Sequence, residues 1–159
     1  MKMVKLKYLM VWGILMMLTM HLFASESHLL PLPQKAIFSS SSFVIGEAEL
    51  QTSILTDDWK QLWKSWGGTF KERSNRMVAV RLVDKLEGIP LNREEAYRLN
   101  ITAREIRIEA ETERGIYWAM QTLRQLAETK KGKVRLKGCE ITDWPAFRIR
   151  GFMQDVGRT

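Results

Sequence analysis

The chain has 159 residues, one domain's worth or slightly more, with 45% apolar and 27% charged residues, an ordinary globular balance. Its formal charge of +7 is no nucleic-acid footprint: Lys2, Lys5 and Lys7 supply part of it, residues 25–159 carry 22 basic against 18 acidic residues, and no basic stripe is interleaved with aromatics. One cysteine excludes an internal disulfide, and two histidines, His21 and His28, exclude both a metal cluster and a Ser-His-Asp or Cys-His set.

The opening "MKMVKLKYLMVWGILMMLTMHLFASES" has a lysine-rich start, an apolar run over Tyr8–Met20 and the small pair Ala24-Ser25. That is the layout of a secretory signal peptide, with cleavage expected near Ala24. The run is shorter than the ~20 apolar residues a spanning helix needs, so no stable membrane span is expected after cleavage. No cysteine follows the run, so lipidation of a mature N-terminal cysteine has no substrate. The expected destination is the bacterial periplasm or the cell exterior. Six of the nine methionines fall in this leader, so methionine richness is not a core feature.

"HLLPLPQKAIF" follows, with Pro31 and Pro33 favouring extended backbone. "SSSS" (39–42) reads as a polar turn or a sheet edge, and "FVIGEAELQTSI" as a strand pair or an irregular strand around Gly46. In "LTDDWKQLWKSWGG", Thr56 or Asp57 can cap a helix whose Trp59, Leu62, Trp63 and Trp66 form one stripe, ended by Gly67-Gly68. A tryptophan stripe invites a sugar-stacking reading, but this spacing is also what a helix packed onto a sheet requires. "GTFKERSN" reads as a polar loop and "RMVAVRLVD" (76–84) as a strand.

"EAYRLNITAREIRIEAET" alternates on both sides of a turn at Thr102–Arg104, which predicts a hairpin with one buried face. The strongest helix signal is "TERGIYWAMQTLRQLAETKKGK", capped by Thr112, with a stripe of Ile116, Ala119, Met120, Leu123, Leu126 and Ala127, and Gly132 just beyond. "KVRLKGCEITDWP" predicts a further strand, with Cys139 as a small core residue and Pro145 as a boundary. The adjacent acidic pairs Asp57-Asp58 and Glu94-Glu95 read as surface charge. The order β, α, β, ββ hairpin, α, β predicts an α+β fold: a mostly antiparallel sheet with two helices packed on one face.

Three stretches together resemble one family. "EAYRLNITAREIRIEAETERGIYWAMQTLRQL" is similar to the hairpin-plus-helix signature of the small N-terminal domain of β-N-acetylhexosaminidases, glycoside hydrolase family 20: E-x-Y-x-L-x-I, a turn, I-x-I-x-A, then a helix carrying Q-T-L-x-Q-L. "CEITDWPAF" resembles the family's connector, I-x-D-x-P-x-F. "RGFMQDVGR" resembles R-G-x-x-x-D-x-x-R, which opens the family's (β/α)8 catalytic barrel. "LLPLPQ" resembles the usual mature N-terminus. Gln154 stands where an apolar residue is commoner, and Thr159 where histidine is common.

The resemblance implies a division into a signal peptide (1–24), an α+β N-terminal domain (25–145) and the start of a truncated barrel (146–159). It implies an enzyme that removes terminal N-acetylglucosamine or N-acetylgalactosamine from glycans with retention, the substrate's acetamido oxygen attacking the anomeric carbon while an Asp-Glu pair orients it and supplies the acid/base. That pair lies downstream in family members, in an H-x-G-G-D-E-type motif that this sequence does not contain. No catalytic residue, metal or cofactor is therefore expected in this chain, which should be inactive alone. The carried-over substrate-binding residue is Arg150, whose planar multi-donor guanidinium suits vicinal sugar hydroxyls; its alternative is a structural pair with Asp155. Asp155 and Arg158 belong to the same motif. The competing reading is a non-catalytic carbohydrate-binding or scaffolding domain using Trp59, Trp63, Trp66 and Trp118, favoured if these are exposed and disfavoured if buried.

Overall fold

The computed structural model describes residues 29–52, 54 and 57–151. The expected leader, His28, Thr56, and Asp155 and Arg158 lie outside the described residues. The elements run β1 (Lys35–Val44), β2 (Glu47–Thr52), α1 (Asp57–Ser65), β3 (Thr69–Phe70), β4 (Met77–Leu82), a 3-10 turn (Arg93–Glu95), β5 (Tyr97–Ile101), β6 (Glu105–Ala110), α2 (Glu113–Leu126), β7 (Ala127–Lys130) and β8 (Lys133–Asp143). The strands form one sheet in the order β1-β8-β5-β6-β4-β2-β3, with β7 paired to β8 off that path.

The α+β class is as expected, but the sheet is mixed. β1, β8, β5 and β6 pair antiparallel in succession, as do β7 and β8. β6, β4, β2 and β3 pair parallel. The reason is the connections: α1 lies between β2 and β4 and returns the chain to the same end of the sheet, as parallel pairing requires. α2 does the same between β6 and β8, which run in one direction on either side of β5.

The predicted hairpin pairs Leu99 with Ile108 and Ile101 with Ile106. Tyr97, Leu99, Ile101, Ile106, Ile108 and Ala110 are all buried on one face, as period-2 alternation demands. The same core cluster takes in Trp59, Leu62 and Trp63 of α1 and Ile116, Ala119, Met120, Leu123 and Leu126 of α2, so both helices cover that face. The other face is polar, with Arg107 and Glu105 paired at 2.8 Å and Arg98 3.9 Å from Glu109.

Of the two readings of Ser39–Ser42, the sheet edge holds: the run is part of β1, the edge strand, where the register slips between Phe38 and Ser42. Gly138 of β8 accommodates that slip: a Cβ there would lie 2.1 Å from Ser41 Oγ and 2.4 Å from Ser39 Oγ. The run around Gly46 is not a hairpin, because β1 and β2 pair with different partners far apart in the sheet. Within "GTFKERSN", Thr69–Phe70 forms the short β3. The long helix stops at Leu126, and Ala127–Lys130 turns back on β8 through Lys131 (φ 52°) and Gly132 (φ 71°), the left-handed pair that a two-residue hairpin turn needs.

The connection between β4 and β5 carries its own small core of Leu86, Ile89 and Ala96, flanked by Val83 and Trp144. Arg93 holds it together. Its guanidinium donates to the Ile89 carbonyl at 2.6 Å and the Leu86 carbonyl at 2.7 Å, and it pairs with Glu111. Glu111 in turn accepts from the Leu86 amide at 2.6 Å.

Candidate functional site at the connector

Helix α2 approaches the sheet closely because residue 115 is glycine: a Cβ there would lie 2.2 Å from the Ala96 carbonyl oxygen and 2.7 Å from Ala110 Cβ. Thr112 occupies the N-cap position with extended backbone, yet its hydroxyl makes no cap bond and donates instead to the Glu94 carbonyl. The helix is thereby tied to the 3-10 turn and shows its outer residues, Trp118, Gln121 and Gln125, to a cleft of about 580 Å³.

The opposite wall of the cleft is the irregular segment 29–34, bent at Leu30, Pro31 and Gln34 rather than extended as its prolines suggested, in which Pro31 and Pro33 leave few backbone donors. Gln125 clips this segment twice. The Leu30 amide donates to its Oε1 at 2.8 Å, and its Nε2 donates to the Leu30 carbonyl at 3.1 Å. Further along, the Gln34 amide donates to Asp143 Oδ1 at 3.0 Å. The floor is a buried polar cluster in which the Tyr97 and Thr122 hydroxyls share a hydrogen bond of 2.6 Å and Tyr97 donates to Asp143 Oδ2 at 3.5 Å. Burial pushes the Tyr97 hydroxyl up in pKa. It also raises the Asp143 carboxyl, against the lowering effect of the Gln34 and Trp144 amides.

The connector Trp144–Gly151 forms the rim and carries no strand among its described residues. The carboxamide of Asn92 fixes its start by donating to the Pro145 carbonyl at 2.6 Å. Arg150 stands at the mouth. Its guanidinium pairs with Glu95, donates to the Phe147 carbonyl at 3.3 Å and lies 5.9 Å from the Trp118 ring centre. The Arg150 side chain is 44% exposed and that of Glu95 15%. Glu95 is therefore more than surface charge: the fold brings it to an arginine 55 residues away. An adjacent Glu-Glu pair in sequence carries no signal for such a partner. Asp57 and Asp58 are exposed in the first turn of α1, where they complement the helix dipole.

The tryptophan stripe of α1 is core. Trp59 and Trp63 are buried, Trp63 stacks on Phe70 at 5.2 Å between ring centres, and its indole N–H donates to the Gly46 carbonyl at 3.1 Å. Trp66 is half-buried against the same cluster, so of the four tryptophans only Trp118 is exposed. Cys139 is buried in β8, and desolvation pushes its thiol up to about 12, which keeps it protonated and unreactive. Among the described residues there is no group of three His, Cys, Asp or Glu able to hold a metal ion, and no helix long and apolar enough to cross a membrane. The cleft thus offers aromatic and amide surface, one guanidinium paired with Glu95, and the linked Thr122, Tyr97 and Asp143 side chains at its floor.

Residues 26–144 match the family model described as glycosyl hydrolase family 20, domain 2. A β-hexosaminidase of Porphyromonas gingivalis (strain ATCC BAA-308 / W83) is 27% identical over 148 residues, covering 82% of this chain and 19% of that protein. Among solved structures, the GH20 exo-β-N-acetylglucosaminidase of Vibrio harveyi, in complex with N-acetylglucosamine, superposes with a TM-score of 0.58 at 24% identity, covering 78% of this chain and 20% of that one. The GH20 β-N-acetylhexosaminidase of Streptomyces coelicolor A3(2) does so with a TM-score of 0.61 at 19% identity, covering 77% and 27%. At these identities the structural likenesses speak for the fold. The chain spans about a fifth of the length of the curated relative it matches.

Proposed function

The chain belongs to glycosyl hydrolase family 20, and on that footing we propose that it is the N-terminal, non-catalytic part of an exported β-N-acetylhexosaminidase. The observation that carries this reading is the match of residues 26–144 to the family's domain 2 in a chain that spans 19% of a β-hexosaminidase. The parent enzyme would release terminal N-acetylhexosamine from glycans, using the substrate's acetamido group as nucleophile with an Asp-Glu pair supplied by the barrel. The basic, then apolar, then small-residue order of residues 1–25 supports export.

Arg150 is proposed as the residue that contacts the sugar's outer hydroxyls. Its exposed guanidinium supports the reading. To bind a sugar with its full donor set, Arg150 would have to release Glu95.

The test is a comparison of two polypeptides on a chromogenic N-acetylglucosaminide: the mature chain to Thr159, and the product of the open reading frame continued downstream. The longer product should turn the substrate over and the shorter should not. Turnover by the shorter chain that survives purification would overturn the inactivity. A well-folded but inactive longer product would overturn the parent assignment.

A further inference from the structure

The net charge of residues 25–159 is held in one place. They carry 22 basic against 18 acidic residues, and outside the β7–β8 hairpin (127–137) the count balances at 17 against 17. Within the hairpin, Lys130, Lys131, Lys133, Arg135 and Lys137 stand against a single carboxylate, that of Glu128. The strand pairing gathers these charges. Leu136 is core, and Ala127 and Val134 pack against the same cluster. Period-2 alternation then sends Glu128, Lys130, Lys133, Arg135 and Lys137 to the opposite, outer face of the sheet. Lys130 lies directly across from Lys133, and Glu128 across from Arg135. Lys133, Arg135 and Lys137 follow one another along β8 at intervals of about 7 Å, with Ser42 of β1 beside Lys137. Lys130 pairs with Glu128 at 2.7 Å. Among the described residues, Lys131, Lys133, Arg135 and Lys137 have no ion pair with a carboxylate. Like charges directly opposite each other destabilise a strand pair, so the Lys130–Lys133 placement works against the hairpin's own stability.

We propose that this stripe binds a linear anionic polysaccharide, one that carries sulfate or carboxylate groups along its chain. The cations form a row, which matches repeating anions on a single extended polymer. The lysines act as point charges, and Arg135 offers the planar donor pair that suits a sulfate or carboxylate. A bilayer fits less well. The hairpin exposes no large apolar side chain to enter one. The same outer face also carries Glu105, Glu109 and Glu140, which a flat anionic surface would meet and a single chain along the stripe would not. Nucleic-acid bases would find no stacking platform, because the exposed rings of Tyr117, Trp118 and Phe147 lie on α2 and the connector. The choice of a polysaccharide among polyanions rests on the glycan-acting reading above.

Binding of the mature chain to dextran sulfate, with uncharged dextran as the reference, tests this. Dextran sulfate should bind, dextran should not, and the binding should weaken as salt shortens the screening length. A Lys133→Gln, Arg135→Gln double variant should bind on the order of tenfold more weakly. A Lys60→Gln, Lys64→Gln variant removes the same charge from exposed positions of α1 and should bind as the unaltered chain does. Equal losses in the two variants would show that net charge alone is sensed and would overturn the proposal. Tighter binding to phosphatidylglycerol vesicles, or to single-stranded DNA, than to dextran sulfate would assign the stripe to that partner, with the same consequence. Lys133→Gln relieves a like-charge contact and should melt no lower than the unaltered chain; a fall would make the stripe part of the fold and count against the proposal. An enzymatically active longer product whose N-terminal domain ignores dextran sulfate would overturn this inference and leave the parent assignment standing. Stripe-dependent binding together with an inactive longer product would do the reverse.

Discussion

Glu111 and Asp143 are carboxylates with opposite electrostatic fates. Desolvation pushes the Glu111 carboxyl up, but the Arg93 and Leu86 hydrogen bonds together outweigh it and hold the group below the usual carboxylate range. Its stabilising contribution is present above the unfolded-state pKa and is lost as pH falls through the lower native one. For Asp143, desolvation wins and the native pKa is raised. The native state then holds its proton to higher pH than the unfolded chain, so stability declines as pH rises from the unfolded pKa through the native one. Glu111→Gln should cost about 1.5–3 kcal/mol at neutral pH, the range for a hydrogen bond to a charged group, and progressively less in acid. Asp143→Asn should be near neutral at neutral pH: its carbonyl keeps the Gln34 bond in the Oδ1 position, and its NH2, in the Oδ2 position, donates to the Tyr97 hydroxyl, which then donates to Thr122. Urea midpoints across the acid range check both. Equal pH slopes for the two variants would show that one of the two environments is misjudged.

At the level of elements, two glycines separate packing from backbone conformation. In Gly115→Ala, alanine improves helix propensity by about 1 kcal/mol. The new Cβ, however, would collide with the Ala96 carbonyl and Ala110, and overpacking of this kind costs about 1–3 kcal/mol. A net loss is expected even though the residue lies inside a helix. In Gly132→Ala nothing lies within 4 Å, but φ is +71°, so about 1 kcal/mol is lost to backbone strain alone, and Gly132→Asn should recover part of it. Denaturant unfolding of the three variants measures this; a neutral Gly115→Ala would refute the close-approach argument. The contrast also shows what the sequence made legible. The β5–β6 hairpin and the α2 stripe were readable because their partners are neighbours in sequence and their periodicity is strict. Ala127–Lys130 was not: Ala, Glu, Thr and Lys continue a helical composition, and only the left-handed Lys131-Gly132 turn folds them back as a strand. The parallel half was hidden too, because β2, β4 and β6 meet through crossovers whose endpoints local pattern does not record. Arg150 was singled out on family resemblance, whereas Glu95, Trp118 and the Gln125 clip needed the fold to bring them together.

Across the whole molecule, stability should grade from the centre of the sheet to the connector. β8 pairs with β1, β5 and β7, and its residues Leu136, Cys139 and Ile141 belong to the main core. Opening it breaks three ladders at once. Among the described residues beyond Asp143 there is no ladder: residues 147–151 lie in no helix or strand, Phe147 and Ile149 are exposed, and the main tie from Arg150 is the pair with Glu95. Such a pair contributes about 0–1 kcal/mol, too little to hold a segment that carries two large exposed apolar side chains. Amide exchange in the mature chain should therefore be slowest in β5, β6, β8 and the Gln121–Leu126 turns of α2, and fast from Phe147 to Gly151. Protection at Ile149 as strong as at Leu123 would mean that the connector is docked by more than the Glu95 pair. Exchange in β8, by contrast, reports the domain's own core, because its amides open only when the ladders to β1, β5 and β7 break.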